Sequence, residues 1–227
     1  MDDILFQLSN RIYTLLNETR YDQRLIISIS GAPGSNRSTI AQNVVNKVNK
    51  IAHNRGFIEH NQNLAIRIPQ DGFRDIIHNT RTLIMHDYPS IYNPKNFVDL
   101  VEKLQEPIHE IQTNTIYCPS YNDDKEEIVE DNIEITPSIR VIILDGGYTQ
   151  LKDPIWVEIS SYVQERWFVR VRSSTSKKRI IEKYLKNGIC NNLDDALKRC
   201  EDIDMVKREY IIMNTLMPDL IVDSVED

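Results

Sequence analysis

The chain reads as an α/β protein built on a mostly parallel sheet with helices on both faces, and three observations predict it. Short apolar, β-branched runs alternate with segments of helical periodicity along most of the chain. The segment 139–144 carries Val141-Ile142-Ile143-Leu144 and then breaks at Asp145-Gly146-Gly147, the pattern of a central strand buried on both faces. The 227 residues suffice for one sizeable domain and fall short of two with a linker, so a single domain over 1–227 is expected.

In chain order, Ile4, Leu5, Leu8, Ile12, Leu15 and Leu16 follow helical spacing and predict an additional helix over 1–20. Met1-Asp2-Asp3 has no basic n-region, so no secretory signal is expected. A strand at 25–30 runs into a glycine-containing loop, after which Ile40, Val44, Val45, Val48 and Ile51 form one helical face that stops near Gly56. A second strand at 64–69 leads into Gln70-Asp71-Gly72-Phe73. Phe97, Leu100, Val101, Leu104, Ile108 and Ile111 predict a helix that Pro107 kinks or divides. A short strand at 115–118 is expected to end at Pro119. Further strands at 167–172 and 220–222 are separated by helical segments at 174–187 and 192–214. In a sheet of this kind ligands bind beyond the carboxyl ends of the strands, where the polar clusters of this chain fall.

Composition narrows the function. Hydrophobic residues at 41% and charged residues at 27% suit a water-soluble globular chain, and no apolar run approaches the ~20 residues of a membrane span. No membrane role is expected. A net charge of −7 argues against a general nucleic-acid binder, which needs a basic surface. Cys118, Cys190 and Cys200 form no Cys-x-x-Cys pair, and the histidines at 53, 60, 78, 86 and 109 have no ligand spacing. Neither disulfides nor zinc are implied, and the expected location is cytoplasmic, with a nuclear one left open.

The most informative stretch is Gly31-Ala32-Pro33-Gly34-Ser35-Asn36-Arg37-Ser38-Thr39. Its frame is that of a phosphate-binding loop, Gly-x-x-x-x-Gly-Lys-Ser/Thr, in which backbone N–H groups cradle phosphates, the lysine reaches the β- and γ-phosphates and the hydroxyl holds Mg²⁺. Here the Gly-Lys pair is Asn36-Arg37. The glycine of that pair commonly needs a left-handed backbone, and asparagine is the non-glycine residue that tolerates it best. Arginine keeps the charge but replaces a compact ammonium with a planar fork.

With these residues the chain resembles the P-loop kinases that include uridine kinase, phosphoribulokinase and bacterial pantothenate kinase, and above all their uridine-kinase-like members. The resemblance covers nearly everything after the first helix. It implies a three-layer fold with a helical lid at about 173–190, ATP and Mg²⁺ as cofactors, and a small hydroxyl-bearing substrate, a nucleoside or similar. Asp71 of Asp71-Gly72-Phe73 corresponds to the base that takes the acceptor proton. Phe73, Arg74 and Tyr121, the last in Pro119-Ser120-Tyr121, are the implied acceptor contacts. Ser38 and Asp145 are the implied Mg²⁺ ligands, Asp145 standing where glutamate is usual. Arg37 and Arg179 are the implied catalytic cations, with Lys177, Lys178 and Lys183 beside Arg179 in a run that reads equally as a solvated helix face or a phosphate lid.

Two functions follow. The leading one is an ATP-dependent kinase of small molecules, slow because Asn36-Arg37 replaces Gly-Lys. The alternative is an inactive relative that binds nucleotide or a protein partner in a regulatory role. The acceptor and the oligomeric state are left open.

Overall fold

The structure, a computed structural model, describes residues 2–59, 61–75, 88–108 and 114–224. Helix α1 (Asp2–Glu18) precedes strand β1 (Leu25–Gly31), helix α2 (Arg37–Asn54) and strand β2 (Ala65–Pro69). Helix α3 (Pro94–Lys103) is followed by a hairpin of β3 (Ile116–Asn122) and β4 (Glu127–Ile135), then by β5 (Val141–Asp145) and β6 (Glu165–Arg170). Helices α4 (Ser173–Lys186), α5 (Leu193–Arg199) and α6 (Val206–Asn214) lead to β7 (Leu220–Asp223).

The five-stranded sheet has the order β2-β5-β1-β6-β7, and every neighbouring pair in it is parallel. Side chains alternate across a strand, so consecutive residues of β1 and β5 feed two different cores. Leu25, Ile27, Ile29, Val141 and Ile143 pack under α1 and α2 with Ile12, Ile40, Val44 and Val48. On the other face Ile26, Ile142 and Leu144 pack with Phe97 and Val101 of α3, Ile135 of the hairpin and Trp156. Both faces of β5 are dry, all five of its residues being buried, as its apolar run predicts. Burying a side chain of this size contributes about 1.5–3 kcal/mol, which is why these two cores fix the sheet and with it the strand ends.

The added helix is tied down by polar contacts as well as by its apolar stripe. Arg11 Nε donates to Glu165 at 2.7 Å, Glu165 accepts the indole N–H of Trp167 at 2.7 Å, and the Tyr13 hydroxyl donates to the Val48 carbonyl at 2.9 Å.

Three local expectations are corrected. The strand expected to end at Pro119 runs on to Asn122, because the register slips between Cys118 and Ser120 and a bulge accommodates the missing N–H of proline. Its partner β4 was not expected; its sequence Glu-Ile-Val-Glu-Asp-Asn-Ile-Glu-Ile is largely solvated and lacks a clean apolar face. Helix α3 stops at Lys103, four residues before Pro107, so the proline neither kinks nor divides it; Ile111 lies outside the described residues. The helical stretch expected over 192–214 is helical from Leu193 to Asn214 but passes through a π-helical segment, Cys200–Met205. Among the described residues no helix is long and apolar enough to cross a membrane.

Candidate active site

The ends of β1, β2 and β5 lie level. Ile29 and Pro69 are both in register with Asp145, and Gly31 is in register with Val169 of β6. Residues 31–39 therefore turn at the carboxyl edge of the central strand and run directly into α2. Gly34 has φ 71°, and a Cβ built on it would lie 2.7 Å from the Ser176 carbonyl oxygen. Asn36 is left-handed with φ 61° and ψ 22°, as its place in the motif predicts. Ser35 is buried, Ser38 half-buried and Thr39 exposed. The backbone amides of the first helical turn are left without intrahelical partners and carry the positive end of the helix dipole.

Arg37 does not project away from the loop. Its Nε donates to Asp145 Oδ1 at 2.5 Å and its Nη1 to the Gly31 carbonyl at 3.1 Å. A second arginine, Arg67 of β2, donates from Nη1 to Asp145 Oδ2 at 2.8 Å. Both carboxylate oxygens of Asp145 are thus taken by guanidinium groups, and its side chain is 1% exposed. Burial works against the Arg37 charge, but Asp145, by charge and by hydrogen bond, and then Asp71 outweigh it and raise its pKa. This arrangement does not fit the expected role of Asp145 as a Mg²⁺ ligand, since a bound cation would have to displace an arginine from it.

Asp71 sits in the turn Gln70–Phe73 that follows β2. Gly72 is required there: a Cβ on it would come within 2.3 Å of the Pro119 carbonyl oxygen, so the turn is pressed against the bulge of β3. One oxygen of Asp71 accepts hydrogen bonds from Arg74 Nη2 at 2.9 Å and from the Tyr92 hydroxyl at 2.8 Å. Its side chain remains 41% exposed. Burial pushes the carboxyl pKa up, but the Arg74 charge, the Tyr92 hydrogen bond and the Arg37 charge together hold it below the ordinary aspartate value. Asp71 is consequently an anion near neutrality.

The implied acceptor contacts separate. Arg74 lies over the ring of Tyr121, its guanidinium carbon 4.0 Å from the ring centroid, so these two and Asp71 form one cluster. Phe73 instead points into the core, edge-on to Phe97 at 4.8 Å between centroids. The basic run separates likewise. Lys177 pairs with Glu201 and Lys178 with Glu182 on the surface, whereas Arg179 Nη1 donates to the Gly34 carbonyl at 3.2 Å and to Ser224 Oγ at 2.8 Å. Ser176 Oγ donates to the Pro33 carbonyl at 2.7 Å. Helix α4 therefore rests on the loop through its second turn, with Arg179 as the cation that touches it. A cleft of about 850 Å³ opens beside this contact, lined by Ala32, Arg172, Thr175, Arg208 and Ser224.

Sequence reasoning missed three residues: Arg67, Tyr92 and Lys207. The Lys207 amine lies 5.2 Å from the centroid of the Tyr148 ring, which is edge-on to Tyr92 at 5.6 Å. Burial lowers the Lys207 pKa to about 8, with Asp71 and Asp204 supporting its charge and Arg37 and Arg74 opposing it. A third cation thus joins Arg37 and Arg74 around Asp71.

Parallel strands in the order β2-β5-β1-β6-β7, with a Gly-rich loop after β1 capping α2, match solved kinases. A "putative fructose transport system kinase" from Silicibacter sp. TM1040 superposes with a TM-score of 0.76 over 95% of this chain and 98% of its own, at 21% identity. The fold is that of the P-loop kinases. By sequence the chain is similar to proteins named as kinases or kinase-like. "Putative uridine kinase C227.14" of Schizosaccharomyces pombe is 24% identical over 95% of this chain and 88% of its own length. An "ATP-dependent kinase-like protein" of Aspergillus versicolor is 28% identical over 55% of this chain and 72% of its own. No family model matches the chain.

Proposed function

We propose that this P-loop kinase relative binds ATP at residues 31–39 and transfers the γ-phosphoryl, slowly, to the hydroxyl of a small acceptor, a nucleoside or similar. The observation that carries the reading is Asp71: a partly exposed carboxylate, kept ionised by Arg74 and Tyr92 and within electrostatic reach of the Arg37 guanidinium. In a loose phosphoryl-transfer transition state the protein acts by positioning and by neutralising charge. Asp71 accepts the hydroxyl proton. The backbone amides of the loop hold phosphate oxygens, and Arg37, Arg179 and Lys207 supply the fixed positive charge. Arg74 and Tyr121 form the wall next to Asp71 on the acceptor side. The names of the relatives support a kinase, and the one named for uridine supports a nucleoside as the first acceptor to try.

The rate is low in this reading because Arg37 spends one arm on Asp145 and another on the Gly31 carbonyl, leaving less of its fork for the phosphates. The same ion pair favours the second reading, a nucleotide-binding protein without turnover.

A screen of nucleosides, sugars and hydroxy acids with γ-labelled ATP, run beside a thermal-shift titration with ATP, tests both. Labelled product from at least one acceptor, lost in Asp71→Asn, is the expected result. A thermal shift without product leaves the binding reading, and the absence of both removes the site. Ligand at 100 times its Kd raises stability by about 2.7 kcal/mol, so millimolar nucleotide gives a readable shift even for weak binding.

A further inference from the structure

We propose that the loop takes its phosphate ligand, the triphosphate of a nucleotide or pyrophosphate itself, without a divalent cation held at Asp145, the ligand's charge being met by side chains fixed in the fold. The proposal rests on the reading of residues 31–39 as a phosphate site and concerns how that site balances charge.

Three observations lead to it. First, Asp145 has no oxygen to offer: Oδ1 accepts from Arg37 at 2.5 Å, Oδ2 from Arg67 at 2.8 Å, and the side chain is 1% exposed. Magnesium demands near-octahedral oxygen ligands at 2.0–2.1 Å and dehydrates reluctantly, so it competes poorly for a carboxylate already closed by two forks. Arginine does not lose its proton in proteins, so neither partner can vacate the site by titrating. A dication placed there would also face two like charges where water does not screen them.

Second, the two arginines are held by more than Asp145. Arg37 is also bonded to the Gly31 carbonyl at 3.1 Å. Arg67 rises from β2, whose neighbouring residues Ile66 and Ile68 pack in the apolar core on the opposite face, so its backbone origin is fixed by the sheet. The Nε of Arg67 is buried and has no hydrogen-bond partner among the described residues, which leaves a donor at this point of the site.

Third, fixed positive groups already gather around the loop. Arg37 and Arg67 flank Asp145, Arg179 touches the loop at the Gly34 carbonyl, and Lys207 is within electrostatic reach of Arg37, Asp71 and Asp204. A polyphosphate entering this group meets these cations before any metal is added. The carboxylate at the end of β5 places a negative charge beside the loop, and the two arginines bound to it offset that charge.

Calorimetric titration of the wild-type chain with ATP and with pyrophosphate, once in excess Mg²⁺ and once in EDTA, tests this. The two dissociation constants should agree within about threefold, well short of the tenfold that about 1.4 kcal/mol represents. Arg67→Ala, which frees Oδ2, should make ATP binding at least about tenfold tighter with Mg²⁺ than without, and its bound ATP should hold Mn²⁺ more tightly than free ATP does by electron paramagnetic resonance, whereas ATP bound to the wild type should hold Mn²⁺ no more tightly than free ATP. If Arg67→Ala does not fold, the wild-type titrations and the Mn²⁺ affinity of ATP bound to the wild type decide alone. Wild-type binding that weakens tenfold or more in EDTA, or wild-type-bound ATP that holds Mn²⁺ more tightly than free ATP, overturns the proposal while leaving the phosphate site intact. Failure of both ligands to bind in either buffer overturns the phosphate reading and the proposal together.

Discussion

Arg37 and Asp145 close on each other across the base of the loop, the guanidinium Nε 2.5 Å from Oδ1, so that the residue standing where the motif has lysine is bound to the residue expected from the sequence to hold Mg²⁺. Each substitution makes sense of the other. A planar fork reaches a carboxylate at that range with one arm while a second arm takes the Gly31 carbonyl, an arrangement a single ammonium does not copy.

Restoring Gly-Lys by Asn36→Gly with Arg37→Lys should therefore release Oδ1 and return a mobile cation to the phosphates. A preorganised electrostatic group of this kind is worth about 10²–10³ in kcat. Retained charge in Arg37 reduces the gain below that range, and nucleotide Kd should change less than kcat. Steady-state kinetics on the acceptor identified by the screen checks it. A slower double variant would mean that Arg37 is an adapted residue. The two positions are adjacent and should be changed together, because neighbouring substitutions are not additive.

Asn36 on its own carries a stability prediction. Its φ of 61° is one that side chains with a Cβ adopt at a cost of roughly 1–2 kcal/mol, a cost asparagine meets more easily than most. Asn36→Ala should lower unfolding stability by about 1 kcal/mol, and Asn36→Gly should leave it level or slightly raised. Urea denaturation of both variants separates this backbone effect from catalysis.

Asp71→Asn should remove turnover and leave ATP affinity nearly unchanged, since a positioned proton acceptor contributes about 10²–10⁴ in rate. The same residue has a stability signature. Its folded pKa is below the unfolded value, so its interactions with Arg74 and Tyr92 stabilise the fold fully above about pH 4, the unfolded aspartate value, and are lost as pH falls through the lower folded pKa. The stability gap between wild type and Asp71→Asn should be constant from neutrality down to about pH 5 and shrink below it. A gap that widens in acid would mean that the carboxyl is protonated near neutrality and is no base.

Much of this was legible in the sequence, and the reasons are specific. The strand, loop and helix at 25–54 could be read because a β-branched run, two glycines and a 3.6-residue stripe agree with one another. The left-handed Asn36 could be read because the motif names the backbone it needs. Arg67 was there to be noticed: a charge on an otherwise apolar strand, two residues before Pro69, needs a buried partner, and its distance of 78 residues from Asp145 hid which. Tyr92 gave no signal, since only the fold brings it to Asp71. Lys207 was hidden by phase. The π segment Cys200–Met205 shifts the helix between Leu193 and Asn214, so a regular wheel misplaces every later residue, and Lys207 comes just after the shift. The turn at Asp71 was found from its motif, but its support, Pro119 against Gly72, depends on a bulge that alternation alone does not reveal.

Gly72→Ala tests that support. Its added methyl meets the Pro119 carbonyl oxygen at 2.3 Å, and the obstacle is backbone, so the turn or the hairpin must move. Overpacking of this kind costs about 1–3 kcal/mol. Chemical denaturation should show that loss, and turnover should fall as Asp71 leaves its place while ATP binding at the loop persists. Equal losses in ATP affinity would show that the turn and the loop move as one unit.

Lys207 makes the sharpest pH prediction. Burial holds its folded pKa at about 8, below the unfolded lysine value of about 10.4, so between those two limits the unfolded chain binds more protons and stability rises with pH. Binding of a phosphate anion nearby favours the ammonium form and draws the pKa upward. Nucleotide affinity should then be level below about pH 7, decline as pH rises through 8, and be accompanied by proton uptake in that window. Calorimetry in buffers of different ionisation enthalpy reads the uptake directly. Lys207→Met keeps the length and apolar stem, so it should bind nucleotide more weakly at pH 7 and lose both the decline and the uptake, whereas Lys207→Arg should retain affinity and lose only the pH dependence. If the wild-type affinity is flat from pH 7 to 9, Lys207 does not serve the phosphates, and the cations that hold them are those of the loop and α4 alone.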